Sequence, residues 1–365
     1  MSVSTEPAAG RSAVIWTLEA EKPGDNAQIE AVANAIGLPW QRRRLAMRPE
    51  WRIAKPDIAS DITHLDLAAG DPLEPPWPDL IVTSGRRLFN AALWIKARSP
   101  GTKLVLVGRP HGHFEGCDLV IAAPQYRLPP RDNVLNLALP LLFPDRKRIA
   151  AASAEWRDEL DAMTRPLTAV LVGAQTRPFR FGPRDARAMM QRVARATRAE
   201  GSLFVTTSRR TPPEVADAIA ATLSPADRLY RWQPEATRNP YLALLGMADR
   251  FVVTGDSASM MVEVARLGRP LAIYELPPDL RPGRWRRHAK RALAGAIRTV
   301  MGDADALLRR LGLAGNRDMT ALHRRLYAAG RAVQLGRPWP AATQTGLDDE
   351  MAEVARRVRA LLPES

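Results

Sequence analysis

Residues 251–276 read FVVTGDSASMMVEVARLGRPLAIYEL. Phe251 to Thr254 form a short apolar run, and Gly255, Asp256, Ser257 and Ser259 supply a turn with a choice of helix caps. Met260, Met261, Val264 and Leu267 then recur at helical spacing. Gly268 stops the helix, Pro270 blocks its return, and Leu271 to Tyr274 resume an apolar strand. The stretch therefore predicts one βαβ unit with a hydroxyl-rich turn opening its helix. Free backbone N–H groups point outward at such a turn, which makes it a ready anion site. Glu263 follows one turn into the helix, within reach of a ribose.

This pattern resembles the donor-nucleotide motif of GT-B glycosyltransferases. There, small and hydroxyl residues at a helix start hold the diphosphate of a nucleotide-sugar, and a Glu about one turn on binds the ribose. The same residues also read as any crossover with a well-capped helix. By the resemblance, Asp256, Ser257, Ser259 and the backbone at Met260 form a diphosphate cradle, with Glu263 on the ribose.

The strand–helix alternation extends in both directions. In the C-terminal half, strands are predicted at Thr168–Val172, Leu203–Thr207 and Arg228–Trp232, with helices from Pro183 to Gly201, from Pro212 to about Leu223, and over Tyr241–Met247. In the N-terminal half, strands are predicted at Ala13–Leu18, Asp79–Thr83, Lys103–Val107, Asp118–Ile121 and Val134–Leu137. Helices follow the turns at 22–26 and 84–87. The Pro-, Trp- and Arg-rich region 39–78 gives no clear pattern. The Ala-rich stretch 149–163 reads as one linking helix, and a last helix is predicted over Leu347–Leu362. Alternating strands and helices predict an α/β protein of two Rossmann-like domains facing a cleft. The expected division is 1–150, 151–335 and a tail, 336–365, crossing back to the N-terminal domain.

Composition narrows the function classes. The chain has 365 residues, 46% hydrophobic content and a formal net charge of +14. Only six of its 53 basic residues are Lys, and the rest are Arg. That balance favours anionic partners such as phosphates, nucleotides or acidic lipids. Zinc-ligand spacing, an RNA-recognition signature and an aromatic-interleaved basic stripe are all missing, which argues against nucleic acid. No G-x-G-x-x-G follows a strand, which argues against a nicotinamide cofactor. No stretch of 18 uncharged apolar residues predicts a membrane span. The first residues lack the apolar core of a secretory leader. Cys117 is the sole cysteine, so no intrachain disulfide is expected, in keeping with a cytoplasmic location. The segment 281–300, RPGRWRRHAKRALAGAIRTV, reads as a basic helix carrying Trp285 on its apolar face. It suits either a solvated surface or peripheral contact with the inner face of a membrane.

Several runs together carry a wider resemblance. They are Pro23-Gly24-Asp25-Asn26-Ala27-Gln28, the run from Pro78 to Arg87, Asn133-Val134-Leu135, the run from Leu203 to Pro212, Asn239-Pro240-Tyr241, and the run from Thr254 to Met260. With these the chain resembles a bacterial member of the mitochondrial-fission ELM (elongated mitochondria) family, which is GT-B-like. It departs from the family pattern after Val107, where Gly108-Arg109-Pro110-His111-Gly112-His113 stands in place of a His-x-Gln-Asp-Pro-like segment. The resemblance implies a glycosyltransferase using a nucleotide-sugar, with an envelope or lipid-linked acceptor. The alternative it implies is a non-catalytic scaffold that binds proteins or membrane.

The remaining site expectations follow from that resemblance. Ser208, Arg209 and Arg210 close a strand, and two Arg there can clamp a diphosphate. Asp25, in the first βα turn, is the candidate catalytic base, with His111 and His113 as rivals; Asp25 also suits a helix cap. Arg86 and Arg87 suit an anionic acceptor or a basic surface. No metal-binding Asp pair stands out and no cofactor is expected, the nucleotide-sugar being substrate.

Overall fold

The computed structural model describes residues 12–51, 54, 56–174, 179–197, 200–234, 236–279, 293, 296, 297, 318–342 and 349–362. The chain divides into two compact units. One is Met1–Ala123 with Leu128–Leu137 and Asp348–Ser365; the other is Pro124–Arg127 with Ala138–Leu347.

The first unit carries strands β1 (Ile15–Glu19), β2 (Gln41–Arg44), β3 (Ala46–Met47), β4 (Leu65–Asp66), β5 (Leu80–Ser84), β6 (Lys103–Val107), β7 (Leu119–Ala122) and β8 (Val134–Asn136). Helix α1 (Pro23–Ile36) follows β1, and α2 (Arg86–Arg98) follows β5. Six strands form one sheet in the order β2-β1-β5-β6-β7-β8, every neighbouring pair parallel. β3 and β4 make a separate antiparallel pair inside the region whose sequence shows no pattern. All five residues of β1 and of β5 are buried. Burial on both faces is what a parallel sheet sandwiched by helices requires, and it explains why these strands are mostly apolar rather than alternating.

The second unit begins with α3 (Arg146–Glu155) and α4 (Arg157–Asp161). The single helix expected over 149–163 is thus two, broken at Trp156, whose backbone (φ −102°, ψ 7°) leaves the helical range. The Trp156 ring is buried edge-on against Phe204, 6.4 Å between centroids. Then come β9 (Leu167–Val172), α5 (Pro183–Thr197), β10 (Ser202–Thr207), α6 (Pro213–Ala220), β11 (Arg228–Tyr230), α7 (Tyr241–Met247), β12 (Arg250–Thr254), α8 (Ala258–Arg266), β13 (Leu271–Tyr274), α9 (Met319–Ala328) and β14 (Val333–Gln334). The sheet order is β11-β10-β9-β12-β13-β14, again wholly parallel. Alternate residues feed two cores. Ala169, Leu171, Phe251 and Val253 join one with α7 and α8, while Val170, Val172, Val205 and Val252 join the other with α5 and α6. Each fully buried Val, Leu or Phe side chain among these contributes roughly 1.5–3 kcal/mol.

The last helix, α10 (Asp349–Arg359), belongs to the first unit and packs on α1. Arg359 Nε donates to the carbonyl of Ile36 at 2.7 Å, and Val354 and Val358 are fully buried. Among the described residues no helix is long and apolar enough to cross a membrane. Apart from Leu293, Ala296 and Ile297, the basic segment 281–300 lies outside the described residues.

Candidate functional site

Each sheet reverses its winding direction once. In the second unit this happens between β9 and β12, in the first between β1 and β5. Loops leaving two neighbouring strands then diverge to opposite faces, and the gap at the carboxyl edge is where open α/β sheets bind ligands. The residues of interest stand at these two points.

At the β9/β12 point the two strand ends are tied together. Gly173 N–H donates to Thr254 Oγ1 at 2.8 Å, Thr254 Oγ1 donates to Asp256 Oδ1 at 2.8 Å, and Ala174 N–H donates to Asp256 Oδ2 at 3.0 Å. Arg210, from the turn after β10, brings Nη2 to 3.6 Å from the same oxygen. Asp256 is buried, and a Cβ on Gly173 would lie 2.4 Å from its Oδ1, so only glycine fits there. A carboxylate has no proton to offer a phosphate, and this one is spent on holding three strand ends in register.

The turn after β10 is internally closed. Thr211 Oγ1 donates to the carbonyl of Gly173 at 2.6 Å and accepts from Ser208 N–H at 2.9 Å, while Arg210 N–H donates to Ser208 Oγ at 3.3 Å. Ser208 is therefore a turn residue. Arg209 is exposed and makes no ion pair among the described residues.

α8 starts beside this framework. Ser257 occupies its cap position but makes no side-chain cap bond. Among the described residues, nothing accepts from the N–H groups of Ala258, Ser259 and Met260. The first turn carries no acidic residue, so its partial positive charge is uncompensated within the helix. Ser259, Met260 and Glu263 follow one another on a single face of α8. Glu263 Oε2 accepts a 2.6 Å hydrogen bond from the hydroxyl of Tyr241 at the start of α7. Burial raises the Glu263 carboxyl pKa, opposed by that bond, and burial together with the nearby carboxylate raises the Tyr241 phenol well above its ordinary value.

His323 of α9 supports the turn from behind. Its Nε2 lies 2.7 Å from the carbonyl of Gly255, which can only accept, so Nε2 carries the proton. A Cβ on Gly255 would meet His323 Cε1 at 2.7 Å. Burial pushes the His323 pKa down.

At the β1/β5 point, Asp25 lies inside the first turn of α1, whose cap position is Lys22. It is thus not the helix cap, since the helix already begins at Pro23. Lys22 Nζ stands 3.8 Å from Asp25 Oδ2, and a Cβ on Gly85 would be 3.9 Å from that oxygen. Asn26 shapes the turn, its Nδ2 donating to the Ala20 carbonyl at 2.7 Å and its Oδ1 accepting from Ala20 N–H at 3.3 Å. Arg86 reaches His111 Nδ1 at 3.5 Å and the Pro56 carbonyl at 3.4 Å. Asp25, Gly85 and Arg86 thus stand at one edge, with His111 beside Arg86. Arg87 is turned away to the Trp51 carbonyl, and His113 is exposed at the start of a short 3-10 turn. Cys117 is buried, and burial pushes its thiol up to about 12, which leaves it a poor nucleophile.

No local pattern in the sequence marks Tyr241, Thr211 or His323 as a site residue. Tyr241 stood in the Asn239-Pro240-Tyr241 run, but nothing local connects it to Glu263.

The profile of the family described as mitochondrial fission ELM1 matches residues 23–362. The chain belongs to the mitochondrial fission ELM1 family. One relative is the mitochondrial fission protein ELM1 of Arabidopsis thaliana, 26% identical over 239 residues, which cover 59% of this chain and 56% of the relative. Another is an uncharacterised protein of Rickettsia prowazekii, 24% identical over 241 residues, 55% of this chain and 66% of the other. The chain thus spans between half and two thirds of the length of these two relatives. Among solved structures, a glycosyltransferase from Rickettsia africae aligns over 98% of this chain and 100% of its own, with a TM-score of 0.49 and 9% identity.

Proposed function

We propose that this ELM1-family chain is a glycosyltransferase that takes a nucleotide-sugar donor at the carboxyl edge of its second sheet. The observation that carries the reading is the start of α8. Among the described residues, three N–H groups and the Ser257 hydroxyl have no partner at the β9/β12 switch point, with Arg209 and Arg210 on the neighbouring turn. In this reading Ser257, Ser259 and the Met260 N–H cradle the diphosphate, and Arg209 and Arg210 add charge-assisted bonds. Ser208 and Asp256 hold the walls of the cradle. Glu263 accepts from the ribose.

Transfer is a displacement at the anomeric carbon. The acceptor oxygen forms the new bond, the bond to the diphosphate breaks, and the acceptor proton passes to a base, for which Asp25 is the candidate. Oriented N–H donors stabilise the departing diphosphate. The nucleotide-sugar is substrate and no resident cofactor is invoked. The excess of basic residues favours an anionic acceptor, of which an envelope or lipid-linked one met by peripheral contact at the inner membrane face is the class proposed. The name of the Arabidopsis relative favours a second reading, a non-catalytic scaffold for proteins or membrane. Turnover of a nucleotide-sugar separates the two.

Calorimetry with UDP, ADP and GDP against their parent nucleosides tests the donor site. The intact protein should prefer one diphosphate over its nucleoside by about tenfold or more, the weight of a charge-assisted hydrogen bond. The pair Arg209→Ala with Arg210→Ala should erase most of that preference and leave nucleoside binding nearly unchanged. A double variant that keeps its diphosphate preference would place the clamp elsewhere.

A further inference from the structure

Tyr241 opens α7, and its start is fixed by a 2.9 Å hydrogen bond from its N–H to Asn239 Oδ1. Its ring packs against the apolar core that α7 and α8 share. The hydroxyl reaches out of that core to Glu263 Oε2 at 2.6 Å. Among the described residues, Tyr241 is the one ionisable side chain hydrogen-bonded to Glu263, which makes no ion pair. Other charged groups on the elements around α8 are directed elsewhere. Arg266 donates to the Pro140 carbonyl and Arg269 to the Gly246 carbonyl. His323 and Tyr327 of α9 meet Gly255 and Glu275, while Arg250 of β12 and Tyr274 of β13 meet Thr168 and the Asp185 carbonyl. Among the described residues this half-buried carboxylate has no ion pair and is held by a single phenol.

We propose that Tyr241 is a positioning residue that fixes Glu263 in one rotamer with Oε1 free, so that this carboxylate selects for one ribose hydroxyl of a nucleotide. The proposal rests on the reading of α8 as the nucleotide site. It adds a specificity that neither the helix start nor Glu263 alone would supply. Oε2 is already engaged by the phenol, so the ribose hydroxyl that meets Oε1 is bound better than its neighbour. The phenol also favours the ionised carboxylate, which is the form that accepts from a sugar hydroxyl.

The test is calorimetry with UDP, ADP and GDP and the 2′-deoxy and 3′-deoxy forms of each. It uses the intact protein and the variants Tyr241→Phe and Glu263→Gln between pH 5 and pH 8. In the intact protein one deoxy form should lose about three- to tenfold, the weight of one hydrogen bond, and the other should bind like the parent. Tyr241→Phe should weaken the parent diphosphate by about the same factor and move the midpoint of its pH dependence upward. A merely structural tyrosine would not move that midpoint. Equal losses for both deoxy forms in the intact protein would overturn the proposal even if Tyr241→Phe does not fold. So would an unmoved midpoint in a folded Tyr241→Phe protein. If Glu263→Gln binds every ligand as the intact protein does, the nucleotide reading of α8 fails along with it. If Glu263→Gln weakens binding and Tyr241→Phe does not, only the role of Tyr241 falls.

Discussion

Asp256 Oδ2 accepts a 3.0 Å hydrogen bond from the backbone N–H of Ala174, 82 residues away in the chain. This bond joins the ends of β9 and β12 at the point where the second sheet reverses direction. The same carboxylate is approached by Arg210 from the turn after β10. One buried side chain therefore sets how the candidate diphosphate turn sits against its neighbours. It also explains why Gly173 carries no side chain.

Asp256→Ala should destabilise the protein by about 2 kcal/mol or more. The substitution leaves the Ala174 N–H and the Thr254 hydroxyl without their acceptor, and each buried unpaired group costs roughly 1–3 kcal/mol. Asp256→Asn keeps one acceptor oxygen and should cost less. Urea unfolding measures both. An Ala variant with an unchanged midpoint and slope would show that the link between the strands is not needed.

Glu263→Gln should stabilise the unliganded protein at pH 7. The folded-state pKa of Glu263 is raised above its ordinary 4.5, mainly by burial. The folded chain thus holds this proton more tightly than the unfolded chain. The associated stability is full below the unfolded value and is lost as pH rises through the folded one. At pH 7 the charged carboxylate is a cost that an amide avoids, while the amide oxygen still accepts from Tyr241. Thermal melts at pH 5 and pH 7 should show the variant's advantage growing with pH. A constant or shrinking difference would contradict the raised value.

His323 has the opposite sign. Burial lowers its folded-state pKa below the ordinary 6.5, so the folded chain binds this proton less readily than the unfolded chain. Its contribution is present above the unfolded value and is lost as pH falls through it toward the folded value. His323→Gln can keep a donor to the Gly255 carbonyl without a titrating ring. Between pH 6.5 and pH 5 the intact protein should lose more stability than this variant. Parallel loss in the two proteins would remove His323 as a source of acid sensitivity.

Much of the architecture was legible from local pattern. The apolar run Phe251–Thr254, the helical spacing of Met261 and Val264 and the Gly268–Pro270 stop give β12, α8 and β13 within a residue or two. Hidden elements have physical reasons. β2 has the sequence QRRR, with no apolar residue to mark it as a strand, and β14 has two residues. The break between α3 and α4 depends on the burial of Trp156 against Phe204, a contact no local spacing displays.

By itself the sequence determined the kind of protein. Residues close in the chain cap, turn and stop one another, so strand, hydroxyl turn and helix are written locally, and the family runs are contiguous. The tertiary structure alone decided which polar groups are occupied and which are free. Asp256 meets Ala174 across 82 residues, His323 meets Gly255 across 68, and Tyr241 meets Glu263 across 22. Such pairs form because parallel strands far apart in sequence bring their carboxyl ends to one edge. Whether a carboxylate there serves as strut or as ligand depends on the partners that packing delivers to it, which periodicity along the chain does not record.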